Sequence, residues 1–153
     1  MTNLTILERV QADMTIAMKT KDAETLSTLR MLKAALFEAK TRKAKDELLG
    51  ADEEIEVLQR YVKKRREAIE EFTRLGLPNR VPPEQKEIEV TQRYLPQSLS
   101  DDEILAHVRE AITASGAAGP KDMGRVIGAV MAKVKGRADG SAVSRLVKQA
   151  LGA

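Results

Sequence analysis

Four residues, Lys133, Lys135, Gly136 and Arg137, stand immediately before a predicted helix start at Gly140 and Ser141, with Asp139 or Ser141 available as its cap. A helix N-terminus presents unpaired amide N–H groups, and cations beside it make a ready site for a phosphate oxygen. An ordinary turn in which Gly140 takes a positive φ accounts for the same residues without a ligand. Just upstream, Gly124 and Gly128 lie four apart on one helical face, each costing about 1 kcal/mol against alanine in a helix interior. Either another helix packs closely there, or the backbone of a ligand approaches.

The charge distribution leads to the same region. Residues 121–149 hold Lys121, Arg125, Lys133, Lys135, Arg137, Arg145 and Lys148 against only Asp122 and Asp139, although the whole chain of 153 residues carries a net charge of just +3. A basic end on a nearly balanced body points to a polyanion partner, or to a lysine-rich solvated surface. Aromatic residues make up 3% of the chain and tryptophan is absent, so reading single-stranded bases by stacking is disfavoured. Recognition of a structured RNA through its phosphates and shape stays open.

Other chemistries find no residues. With no cysteine there is no thiol nucleophile, disulfide or iron–sulfur cluster, and the lone His107 has no second soft ligand for zinc or heme. No phosphate-loop, dinucleotide or nucleophile-elbow motif occurs, so no catalytic residue and no cofactor is expected. Asp101, Asp102 and Glu103 fall in the first turn of a predicted helix, where the helix dipole favours acids. The first residues lack the basic and apolar blocks of a signal peptide, and no run approaches the ~20 apolar residues of a membrane span, so the chain is expected to be cytoplasmic.

The elements that position the basic end are predicted to be helical throughout. Leu4, Leu7, Val10, Met14 and Met18 recur at helical spacing behind a Thr5–Glu8 capping box, and the first helix ends near Thr20. Asp22 caps a second helix over about 23–40, with Leu26, Leu29, Leu32, Leu36 and Phe37 along its stripe. A third runs between Gly50 and Gly76, with Asp52 as cap and Lys63–Glu67 and Arg66–Glu70 as pairs along its surface. All five prolines follow position 77; RLGLPNRVPPE is read as a loop, with Pro83 opening a helix to Tyr94 rather than a strand. Ser100 and Glu103 cap the stripe Ile104, Leu105, Val108, Ile112, and two helices follow over 121–134 and 141–151. The expected fold is all-α: a larger N-terminal helical domain over residues 1–96 and a small C-terminal three-helix domain over residues 97–153.

The run DMGRVIGAVMAKVKGRADGSAVSRLVKQAL, the preceding YLPQSLSDDEI and the early LSTLRMLKAALFEAK resemble the GatB/YqeY family along nearly the whole chain. Stand-alone members of that family are similar to the tRNA-binding tail of the B subunit of the glutamine-dependent amidotransferase that amidates misacylated tRNA. The resemblance implies tRNA as ligand, a tRNA amidotransferase or an aminoacyl-tRNA synthetase as possible partner, and Gly124, Gly128, Lys133, Lys135, Gly136, Arg137, Asp139 and Gly140 as matching site positions. Lys121, Arg125, Arg145 and Lys148 join them on charge. An accessory role in a carbon–nitrogen ligase using glutamine as amido donor, and a protein-interaction scaffold, are the alternatives; the isolated chain is not expected to amidate anything. The stretch LGLPNRVPPEQ departs from the family's more helix-friendly sequence, so the angle between domains is not carried over.

Overall fold

The computed structural model describes residues 3–134 and 137–152. Among them are seven α-helices, two 3-10 turns at Pro78–Arg80 and Pro120–Asp122, and no strand. The chain divides into two compact units, Met1–Leu95 and Pro96–Ala153.

In the first unit, α1 (Ile6–Lys19) opens on a reciprocal cap: the Glu8 amide donates to Thr5 Oγ1 at 3.1 Å, and the Thr5 amide to Glu8 Oε2 at 2.8 Å. Lys21 turns the chain with φ 57°, a left-handed conformation that a side chain adopts only at a cost. Asp22 then caps α2 (Ala23–Thr41), accepting from the Thr25 amide and, at 2.7 Å, from its hydroxyl. These bonds hold the Asp22 carboxyl below the usual carboxylate range.

Helix α3 (Ala51–Arg74) starts two residues earlier than Asp52 allows as a cap: Gly50 takes that position, and Glu53 accepts from the Gly50 amide at 3.1 Å. Gly76 follows its end with φ 69°, the turn for which glycine is suited. The proline-rich stretch is helical rather than a loop. A 3-10 turn at Pro78–Arg80 leads directly into α4 (Val81–Gln92), so Pro82 and Pro83 sit inside the first turn, where a missing N–H costs nothing.

Helix α1 packs on α2, and α4 packs on α3 and α2. Val10, Leu29, Leu32, Leu36, Leu58 and Val90 are fully buried in the core between them. The stripe predicted on α1 is rotated at its ends. Leu4 and Met18 are exposed while Ile6 and Ala17 face inward, and Phe37 on α2 is also largely exposed. One buried charge belongs to this core: Glu54 of α3 accepts from the amides of Ile6 and Leu7, at 3.2 and 2.9 Å, and so caps the start of a neighbouring helix.

The pairs predicted along α3 do not form among the described residues. Arg65 instead reaches Glu84 and Glu87 of α4, each at 3.5 Å, while its guanidinium lies over the Tyr61 ring. Tyr61 donates to Glu87 at 2.9 Å. Lys63 and Arg66 are exposed, where an ion pair one turn away adds too little to hold two long side chains in place, whereas the partly buried Arg65 meets carboxylates of a packed helix.

In the second unit, Ser100 accepts from the Glu103 amide to start α5 (Asp101–Ser115), which ends at Gly116 with φ 69°. Helices α6 (Met123–Lys133) and α7 (Gly140–Ala150) pack on α5 and on each other. Their core, with Ile104, Val108, Val126, Val130, Val134, Val143 and Val147, is entirely aliphatic. No helix among the described residues is long and apolar enough to cross a membrane.

Candidate nucleic-acid interface

Helix α6 buries Val126 and Val130 and half-buries Met123, Ile127 and Met131, which fixes what its other side shows. Gly124, Gly128 and Ala132 repeat every four residues along the exposed side, and Arg125, Ala129 and Lys133 form the adjoining row. A Cβ placed on Gly124 or Gly128 would meet nothing within 4 Å. Close helix packing within this chain therefore does not explain either glycine. They leave a smooth strip of backbone open to the outside, with a cation near each end.

The cations are only loosely engaged. Arg125 pairs with Asp122 at 3.1 Å, three residues back on the same segment. Lys133 pairs with Glu110 of α5 at 2.8 Å and holds that carboxyl below its usual range. Arg145 of α7 reaches Asp101 at the start of α5, at 2.9 Å. All of these groups are largely solvent-exposed except Asp122, and such pairs contribute about 0–1 kcal/mol, so a ligand anion can replace the carboxylates. Lys121 and Lys148 make no ion pair among the described residues.

Several predicted positions look different once folded. Lys135 and Gly136 lie outside the described residues. Arg137 is held in the fold: its Nε donates to the Gln97 carbonyl at 3.2 Å, and its own carbonyl accepts from the Leu99 amide at 2.7 Å. Gly140 does not take a positive φ; it is the first residue of α7, one position after the Asp139 cap, whose carboxylate accepts from the Ser141 amide and hydroxyl. Arg145 and Lys148 project from α7, the last helix, as its predicted span over 141–151 places them.

The local excess of positive charge is also smaller than a window over 121–149 suggests, because the acids of α5 lie just outside that window and supply two of the partners. Sequence reasoning missed both cross-helix pairs and the Arg137 clamp. The only sequence signal for them is an acid-rich helix start facing a basic segment of unknown distance. His107 sits at the edge of the core with Nδ1 buried and unbonded, and among the described residues no group of His, Asp and Glu is placed to hold a metal.

These features define a small, all-helical protein that carries a basic, small-residue strip on its C-terminal unit. The chain belongs to the YqeY-like family: the model of the family described as Yqey-like protein matches residues 7–151. It is 31% identical over 153 residues to the protein named "Altered inheritance of mitochondria protein 41, mitochondrial" of Pyrenophora tritici-repentis, covering 97% of this chain and 82% of that one.

Proposed function

We propose that the C-terminal unit docks on a folded tRNA through its sugar–phosphate backbone, serving tRNA-dependent amidation or aminoacylation without catalysing either step. The observation that carries this reading is the open strip of Gly124 and Gly128 on α6, flanked by Arg125 and Lys133. Two helix-weakening residues stay at exposed positions where nothing in the chain needs their missing side chains, which favours close approach by a partner. The flanking cations suit phosphates, and the unit contains no Phe, Tyr or Trp for base stacking. The resemblance to the amidotransferase tail makes tRNA the RNA to test first.

Arg125 and Lys133 are better probes than Arg137, whose removal would also break its bond to Gln97. Changing both to alanine should weaken tRNA binding by the full chain. It should also reduce the slope of log affinity against log salt by about 1 for each phosphate that the protein no longer neutralises. A full chain that does not bind tRNA, or a double variant with unchanged affinity and slope, overturns the reading. Recovery of amidotransferase subunits without RNA on the tagged protein would instead favour the accessory-ligase reading. A cytoplasmic location belongs to this proposal; the relative's name assigns that protein to mitochondria, and imaging of a fluorescent fusion decides for this chain.

A further inference from the structure

Helices α2 and α3 each turn a matched face toward a shared groove of about 140 Å³ in the N-terminal unit. Two alanines, Glu38 and Arg42 line it from α2, while Val57, Arg60, Tyr61 and Lys64 line it from α3. On both helices these positions follow the i, i+3, i+4, i+7 spacing that gathers side chains on one face. Three cations thus converge on one cleft against a single carboxylate. Drug-sized ligands occupy pockets of roughly 300–1,000 Å³, so this one suits a small group rather than a whole nucleotide.

The cations are available. Lys64 makes no ion pair among the described residues. Arg42 is paired with Glu38 at 2.6 Å and Arg60 with Glu56 at 3.3 Å, both one helical turn away on exposed surface, where such pairs hold weakly. The tyrosine hydroxyl is engaged with Glu87, so the charged lining of the groove is cationic but for Glu38. Guanidinium forks match phosphate oxygens two at a time, and a lysine adds an unoriented positive charge.

We propose that the α2–α3 groove is a phosphate-binding site in which Arg42, Arg60 and Lys64 hold one phosphate group, either a free phosphomonoester or a phosphodiester of nucleic acid. The site is in the other unit from α6 and stands without the tRNA reading. Binding draws Arg42 away from Glu38 and Arg60 away from Glu56, with the phosphate dianion or monoanion replacing each carboxylate.

The test uses the full ¹⁵N-labelled chain at constant ionic strength, titrated in separate arms with inorganic phosphate and with an RNA hairpin. Saturable shifts at α2 and α3 amides around Arg42, Arg60 and Lys64 are expected in at least one arm, and the arm that saturates more tightly identifies the source. Arg60→Gln with Lys64→Gln should weaken that binding at least tenfold while the remaining spectrum stays folded. Glu38→Gln, which removes the carboxylate that lines the groove and competes for Arg42, should tighten it several-fold, an effect that a merely structural groove would not give. No saturation in either arm overturns the proposal, as does a double variant that binds like the parent or a Glu38→Gln variant that binds no more tightly. Loss of tRNA binding on changing Arg125 and Lys133, with the groove shifts intact, separates this site from the C-terminal one.

Discussion

Gly128 lies in the interior of α6 with open space where its side chain would be. Alanine there should raise stability by about 1 kcal/mol, since it removes chain entropy from the unfolded state and clashes with nothing. If the strip is a contact surface, the same variant should bind tRNA more weakly, so thermal melts and binding isotherms should move in opposite directions. Glu84 makes a second prediction. Burial raises its carboxyl above the usual range, and although Arg65 opposes that, Glu87 beside it adds to it. A raised folded-state value means stability that is fully present below the unfolded value and is lost as pH rises through the folded one. Glu84→Gln should therefore melt above the parent at pH 7, and the difference should vanish near pH 4; a lower melt at pH 7 would mean that the ion pair with Arg65 outweighs the burial. Residue types at the basic end were readable from the chain, because spacing along one helix reports which groups share a side. What Arg145, Lys133 and Arg137 touch was not, since Asp101 and Glu110 reach the first two only through the packing of α5 against α7 and α6, and Gln97 meets Arg137 across 40 positions of chain.

At the level of helices, a cap supplied from a neighbouring element is more informative than one supplied locally. Thr5 and Glu8 satisfy the start of α1 from within the adjacent sequence, and a serine or threonine followed three residues later by glutamate announces such a start. Glu54 satisfies two more amides of the same turn from 48 and 47 positions away, and no local pattern announces that. Bonds to a charged group contribute about 1.5–3 kcal/mol each, and a buried one left without its partner is costly. Glu54→Ala should accordingly lower stability by about 2–4 kcal/mol in denaturant titrations, with amide exchange accelerating first at Ile6 and Leu7. Glu54→Gln, which keeps one acceptor, should recover part of the loss. The same contrast explains the other departures from expectation. Helical periodicity identified most of the helices, while the one from 83 to 94, which also read at strand period, was decided by its helix-forming Glu84, Gln85, Lys86, Glu87 and Glu89 and the lack of a partner strand. The start of α4 lay two residues earlier because Pro82 and Pro83 are compatible with a first turn. The cap of α3 moved to Gly50 because Glu53 bonds that amide.

For the whole molecule, the two cores draw on separate stretches of chain: Ile6 to Leu95 for one and Leu99 to Leu151 for the other. A fragment of residues 96–153 should therefore show helical circular dichroism and a cooperative melt, provided the cut spares Gln97 and Leu99, which hold Arg137. A shorter piece beginning at Ser100 should melt lower, and a disordered 96–153 fragment would mean that its helices depend on the rest of the chain. Separate cores also order events during synthesis. Every buried residue of the first core has been polymerised by Leu95, and helical units of this size fold in microseconds to milliseconds. Ribosomes add roughly 5–20 residues each second, so the remaining stretch takes several seconds to appear. Every residue lining the groove between α2 and α3 is thus made before the first residue of α6, so the newborn protein acquires that groove before the strip of Gly124 and Gly128.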